Sequence, residues 1–220
     1  MTRTLSTGRR GPASGTTRNA VVFLHGYGAD GADLLGLADP LAPHLPDTLF
    51  LAPDAPDRCT GNPMGYQWFP IPWLDGSTEA AAAEGADRAS ADLDAWLDAL
   101  MTSEALSASQ IALVGFSQGT MMALAVAPRR PAPLAGVVGF SGRLLAPDRL
   151  AAEVVSRPPV LLLHGDADEV VPPALLPQAA EALQGAGFTV YGHVMRGTGH
   201  GIAPDGLSVA LAFLRDVLPG

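Results

Sequence analysis

Short apolar and β-branched runs alternate along the chain with longer stretches rich in alanine and leucine. The short runs predict strands over 20–25, 48–52, 110–116, 134–141, 159–164 and 188–195. Most are apolar at successive positions rather than alternate ones, the pattern of strands covered on both faces of a parallel sheet. The longer stretches predict helices over 32–45, 77–101, 118–127, 173–186 and 205–217. The longest opens on Ser77-Thr78 and carries Leu93, Trp96, Leu97 and Leu100 three and four residues apart. This is an apolar stripe for packing on a sheet, with Asp87, Asp92 and Asp98 expected on other faces. Strand and helix in alternation define an α/β fold, a mostly parallel sheet with helices on both faces. No repeat and no linker divides the chain, so residues 1–220 are read as a single domain, with 1–19 extended or partly disordered. The Pro-rich stretch 53–76, which holds Trp68 and Trp73, has no such pattern, and a loop that long in a compact domain is usually functional.

Composition narrows the partners. Thirteen Lys and Arg stand against 22 Asp and Glu, a net charge of −9 that repels phosphate backbones and anionic lipid surfaces. Nucleic acid is therefore not expected as a partner. No apolar run approaches the ~20 residues that cross a bilayer, so no integral membrane association is expected either. Residues 1–20 mix Arg, Thr, Ser and Gly without an apolar core, and Arg9-Arg10 alone makes no export signal. The one cysteine, Cys59, has no internal disulfide partner and reads as a loop bystander. No Cys/His cluster has zinc spacing, so no structural metal is expected. This usage suits a reducing cytoplasm, the expected location.

Directly after the strand around Ile111 to Val114 comes Gly115-Phe116-Ser117-Gln118-Gly119, then the helix-favouring run from Thr120 to Ala125. This is G-x-S-x-G in the context its chemistry needs, a sharp strand-to-helix turn that projects the serine hydroxyl above the sheet, with glycines where side chains would clash. A serine hydroxyl is a weak nucleophile at neutral pH and needs a histidine base oriented by a carboxylate. Downstream, the strand ending at His164 leads into Gly165-Asp166-Ala167-Asp168, and the strand ending near Met195 leads into Gly197-Thr198-Gly199-His200. Asp168 is favoured as the acid, because Asp166 directly follows Gly165 and suits a turn-forming hydrogen bond. His200, in a late glycine-rich loop, is favoured as the base. His25 reads as a shaper of an oxyanion turn, His164 as a structural strand-end residue, and His44 and His193 as ordinary histidines. The developing oxyanion needs N–H donors. One is that of Gln118; the other is taken from the glycine-rich loop after the first strand, at Tyr27.

At these residues the sequence resembles the phospholipase/carboxylesterase family of small α/β-hydrolases, which includes bacterial carboxylesterases and acyl-protein thioesterases. The resemblance runs from about Val21 to the C-terminus. It rests on the segment from Leu24 to Gly31, on Gln67-Trp68-Phe69, on the segment from Gly115 to Gly119, on His164 to Asp168 with Val171-Pro172, and on Gly199-His200. It implies a cofactor-free esterase without a large lid, with Ser117, Asp168 and His200 as nucleophile, acid and base, and the Tyr27 and Gln118 N–H groups as oxyanion hole. Trp68, Phe69 and Val170 match its hydrophobic acyl-binding wall. Tyr27 and Phe69-Pro70 stand where the eukaryotic thioesterases typically have Leu and Phe-Asp, so the bacterial carboxylesterase branch fits better. The expected function is hydrolysis of short- to medium-chain esters by a monomer or homodimer, with a thioesterase or lysophospholipase as alternative.

Overall fold

In the computed structural model, which describes residues 2–13 and 16–220, the apolar runs become strands and the alanine-rich stretches helices. Met1, Ser14 and Gly15, part of the 1–19 segment, lie outside the described residues. The strands are β1 (Thr7–Arg10), β2 (Asn19–Leu24), β3 (Thr48–Pro53), β4 (Asp57–Arg58), β5 (Tyr66–Gln67), β6 (Ile111–Phe116), β7 (Gly136–Phe140), β8 (Val160–Gly165) and β9 (Val190–Met195). The α-helices are α1 (Gly31–Leu35), α2 (Ala38–Leu41), α3 (Pro72–Asp75), α4 (Glu79–Glu104), α5 (Gln118–Val126), α6 (Pro147–Glu153), α7 (Leu175–Gly185) and α8 (Pro204–Val217).

Seven strands form one sheet in the order β1-β3-β2-β6-β7-β8-β9, and β4 pairs with β5 in a separate small hairpin. Only β1 runs antiparallel, against β3; every other pairing in the large sheet is parallel. Leu93, Leu97 and Met122 pack with Ala20, Val22 and Leu24 on one face. Phe23, Phe50, Leu41 and Leu214 fill the other. From β2 the chain steps one way to β3, then returns across β2 to β6, so the order reverses between β2 and β6. Open α/β sheets bind ligands beyond the carboxyl ends of the strands at such a reversal.

Besides the short helices α3 and α6 and the β4–β5 hairpin, which the pattern does not predict, three local features differ from the sequence reading. The helix expected over 32–45 is broken into α1, α2 and a 3₁₀ turn, Ala42–His44. Gly36 caps α1, and Pro40 and Pro43 cannot donate the N–H groups a continuous helix requires. Thr7–Arg10, in a stretch with no apolar run, forms β1 by pairing across Phe50 to Pro53. Asp92 lies on the buried face of α4, where its Oδ1 accepts the Arg3 N–H and its Oδ2 the Arg3 Nε–H, each at 2.7 Å. Glu104, buried on the same helix, accepts from the Arg9 guanidinium at 2.6 Å. The buried acids of α4 are thus paired with arginines from the N-terminal segment, as buried charges require.

Candidate active site

The turn from β6 into α5 is built around Ser117, whose backbone takes φ 54° and ψ −114°. A non-glycine residue at positive φ is held there only by its surroundings. Its N–H donates to the Phe140 carbonyl at 2.9 Å. A Cβ on Gly119 would lie 1.8 Å from the Leu24 carbonyl oxygen, and one on Gly115 would lie 2.4 Å from the Thr120 nitrogen. Both positions must be glycine for β2, β6 and α5 to meet this closely. The Thr120 hydroxyl lies 2.8 Å from the carbonyl oxygens of both Gly115 and Phe140, holding the first turn of α5 to the two strands.

At the ends of β8 and β9, Asp168 and His200 meet. The His200 Nδ1–H donates to Asp168 Oδ2 at 2.8 Å, which leaves Nε2 as the basic nitrogen. Asp168 Oδ1 accepts the N–H groups of Val170 and Val171, both at 2.9 Å. Burial pushes the Asp168 carboxyl up, but the bonds from His200, Val171 and Val170 outweigh it and hold the acid below its ordinary value. The His200 ring lies on that of Phe116, centroids 4.9 Å apart, beside the residue that carries the serine. Asp166 joins the two loops by accepting the Gly197 N–H at 2.6 Å, a bond across loops rather than within its own turn. The sequence reading gave His164 only a strand-end role. Its Nε2–H donates to the Val171 carbonyl at 2.9 Å and lies 3.2 Å from Asp168 Oδ2, so it also faces the acid.

His25 is buried at the end of β2. Its Nε2 accepts the Ala55 N–H at 2.9 Å, so Nδ1 carries the proton that goes to the Gly26 carbonyl at 2.7 Å. Burial lowers its pKa and keeps the ring neutral. The glycine-rich loop beyond it is thereby tied to the loop after β3. Among the described residues the Tyr27 N–H has no hydrogen-bond partner, and the Gln118 N–H opens α5, where helix N–H groups have no intrahelical acceptor. The Tyr27 phenol, pushed up to about 12 by burial and its bond to Cys59, accepts the Gly61 N–H.

Ser117, Gln118, His200, Tyr27 and Val170 all border one cavity of about 500 Å³. Its apolar wall is formed by Ile71, Trp73, Leu74, Met121 and Ile202. Neither Trp68 nor Phe69, the expected wall residues, borders this cavity. Trp68 is fully buried behind the site, its indole N–H donating to the His25 carbonyl at 3.0 Å. Phe69 borders a neighbouring cavity, and its carbonyl accepts from Gln118 Nε2. Both residues anchor the loop through the Gln118 amide, whose Oε1 accepts the Trp68 N–H at 2.8 Å. The sequence signal for the true wall was present in Ile71-Pro72-Trp73-Leu74, an apolar run with no strand or helix period. Among the described residues no group of His, Cys, Asp or Glu could hold a metal ion, and no helix is long and apolar enough to cross a membrane.

Comparison with known proteins gives the chain's family. The profile of the Phospholipase/Carboxylesterase family matches residues 12–218. Esterase YpfH of Escherichia coli K12 is 29% identical over 206 residues, covering 90% of this chain and 83% of its own. An acyl-protein thioesterase 1 of Gibberella zeae is 28% identical over 221 residues, 94% of each chain. The crystal structure of esterase PE8 superimposes with a TM-score of 0.92 at 46% identity, covering 97% of this chain and 99% of that one. The chain belongs to the phospholipase/carboxylesterase family of α/β-hydrolases, a membership that indicates an esterase-type hydrolase.

Proposed function

We propose that the protein is a serine carboxylesterase acting on short- to medium-chain carboxylic esters through an acyl-enzyme. Ser117 Oγ attacks the ester carbonyl carbon while its proton passes to His200 Nε2, and the carbonyl electron pair moves onto oxygen. The Tyr27 and Gln118 N–H groups hold that oxyanion. Collapse expels the alcohol, which takes the proton from His200. Water then attacks the acyl-enzyme with His200 again as base, and Ser117 is regenerated. Asp168 keeps its charge throughout and orients the imidazole.

The observation that carries this reading is the cavity of about 500 Å³ bordered by Ser117 and His200, with His200 bonded to a buried Asp168 at 2.8 Å. Its size falls in the usual range for small-ligand sites, about 300–1,000 Å³, and its apolar wall suits an acyl chain. The relatives named as acyl-protein thioesterases support a thioester substrate as the second reading, with the same residues in the same roles.

The test is the rate on p-nitrophenyl esters from acetate to palmitate, for the wild type and Ser117→Ala. A serine-dependent rate that peaks at short or medium chains is expected. A rate unchanged in Ser117→Ala would overturn the mechanism, and a rate still rising at palmitate would overturn the chain length. A matched thioester that outpaces its ester would favour the second reading.

A further inference from the structure

A second cavity, about 660 Å³ and larger than the first, lies beside the candidate active site. It contains neither Ser117 nor His200, so the chemistry belongs to the smaller one. Both are bordered by α5: Met121 lines the first and Ala125 the second, one turn of the helix or about 6 Å apart.

Three arginines border the larger cavity. Arg129 is paired with Glu153, and Arg149 with Glu153 and Asp87. Arg143 has no carboxylate partner among the described residues, and its Nε is buried without a hydrogen-bond acceptor. Buried donors are nearly always satisfied; Arg3 Nη2 and Arg130 Nε are buried without an acceptor as well, but those two guanidiniums pair with carboxylates through their other nitrogens, and Arg143 does not. Its contact is instead with Trp73, the residue that walls the candidate active site; the guanidinium carbon lies 5.6 Å from the ring centroid. Arg143 thus stands where the two cavities adjoin.

The backbone that delivers it is built against the elbow. Ser141, at the end of β7, has a positive φ of 47°. Gly142 then passes so close that a Cβ there would lie 2.4 Å from Thr120 Cβ and 3.0 Å from the Ser117 carbonyl oxygen. The next residue is Arg143, so its backbone leaves the sheet one residue beyond this close approach to the Ser117 carbonyl. A planar fork of N–H donors without a partner is suited to a carboxylate.

From this placement we infer that the larger cavity is a substrate subsite, and that the preferred esters carry a carboxylate on one arm, which runs along α5 past Trp73 to Arg143. The inference rests on the proposed esterase chemistry and names its substrate class. The overall charge of −9 opposes it at long range, so a preference for anionic esters must come from this local cation. Glu79, exposed at the rim and without an ion-pair partner among the described residues, opposes it as well.

The test compares matched acid and methyl ester pairs. The p-nitrophenyl monoester of adipic acid against its methyl ester places the charge on the acyl arm; the butyrate of 6-hydroxyhexanoic acid against its methyl ester places it on the alcohol arm. In one pair the wild type is expected to favour the acid by about tenfold in kcat/KM, as for a charge-assisted hydrogen bond. In Arg143→Gln that ratio should fall to about one, and in Glu79→Gln it should rise. Using a ratio removes any general loss of folding or activity. A wild-type ratio near one in both pairs, or a ratio unaffected by Arg143→Gln, overturns the inference even where neutral esters are hydrolysed. A binding measurement stands apart from turnover: in Ser117→Ala, the Trp73 indole N–H resonance should shift with monomethyl adipate and not with dimethyl adipate. The same shift with both ligands also overturns it.

Discussion

The floor and the outer wall of the cavity are held in opposite ways. On the floor, Ser117 sits in a turn where Gly115 and Gly119 let backbone touch backbone, and Asp168 is fixed by bonds to both its oxygens. On the outer wall, Trp73, Leu74 and Val170 are 62%, 56% and 60% exposed. The first two hang from α3, a four-residue helix whose entry and exit are both tied by Asp75. Its carboxylate accepts the Ile71 and Ser77 N–H groups, each at 2.9 Å. The glycines of the floor leave no room for a Cβ, whereas the side chains of the outer wall are largely exposed. Chemistry and selectivity therefore reside in parts of very different rigidity.

Substitutions on the floor should have the largest effects. Asp168→Asn presents an amide to His200 Nδ1 and favours the wrong tautomer; kcat on p-nitrophenyl butyrate should fall on the order of 10⁴-fold. A fall below tenfold would contradict the role given to Asp168. Next, Gly119→Ala forces a methyl into the Leu24 carbonyl. Overpacking of this kind costs about 1–3 kcal/mol or more, and at about 2–4 °C per kcal/mol for a chain of this size, Tm should drop by roughly 5–10 °C.

His25 links the floor to pH. Its folded pKa lies below the model-compound value of 6.5, first because burial disfavours the charged ring. Between that lowered value and 6.5 the unfolded chain binds the extra proton, so stability rises with pH there and is lost on acidification. Denaturant midpoints should fall between pH 7 and pH 5, and His25→Gln, which does not titrate, should flatten that slope. The depressed pKa of Asp168 acts lower, removing stability as pH falls below 3.8 toward its folded value.

On the wall the effects should be smaller and selective. Trp73→Ala removes apolar surface from the cavity, and the ratio of kcat/KM for butyrate over acetate should fall by about tenfold, a loss of roughly 1–3 kcal/mol of discrimination per methylene-sized contact. Asp75→Ala, which frees α3 without removing a wall side chain, should raise KM for butyrate only a few-fold. Equal effects of Trp73→Ala and Gly119→Ala on Tm would erase the distinction between wall and floor.

Much of this was legible in the chain because the signals are local. Strand and helix alternate with their own periods, the serine turn is written in five consecutive residues, and Ser117, Asp168 and His200 each follow a strand-forming run. A parallel sheet brings such strand ends to one edge, so their order in sequence already implied their proximity. The errors are of another kind. The family resemblance implies Trp68 and Phe69 as acyl wall, yet buried apolar residues also serve as anchors, and only their bonds to His25 and Gln118 show that these two do.

The sequence by itself determined the α/β class, the parallel sheet, the serine elbow and the candidate acid and base, because hydrophobic period and turn chemistry act over a few neighbouring residues. Only the tertiary structure decided that Arg3 and Arg9 neutralise buried acids of α4, that His164 faces Asp168, and that Arg143 stands unpaired over Trp73. Those contacts join residues brought together by strand order and by the register of helices on the sheet. No pattern along the chain encodes them, because the same residues would pair differently under any other crossover.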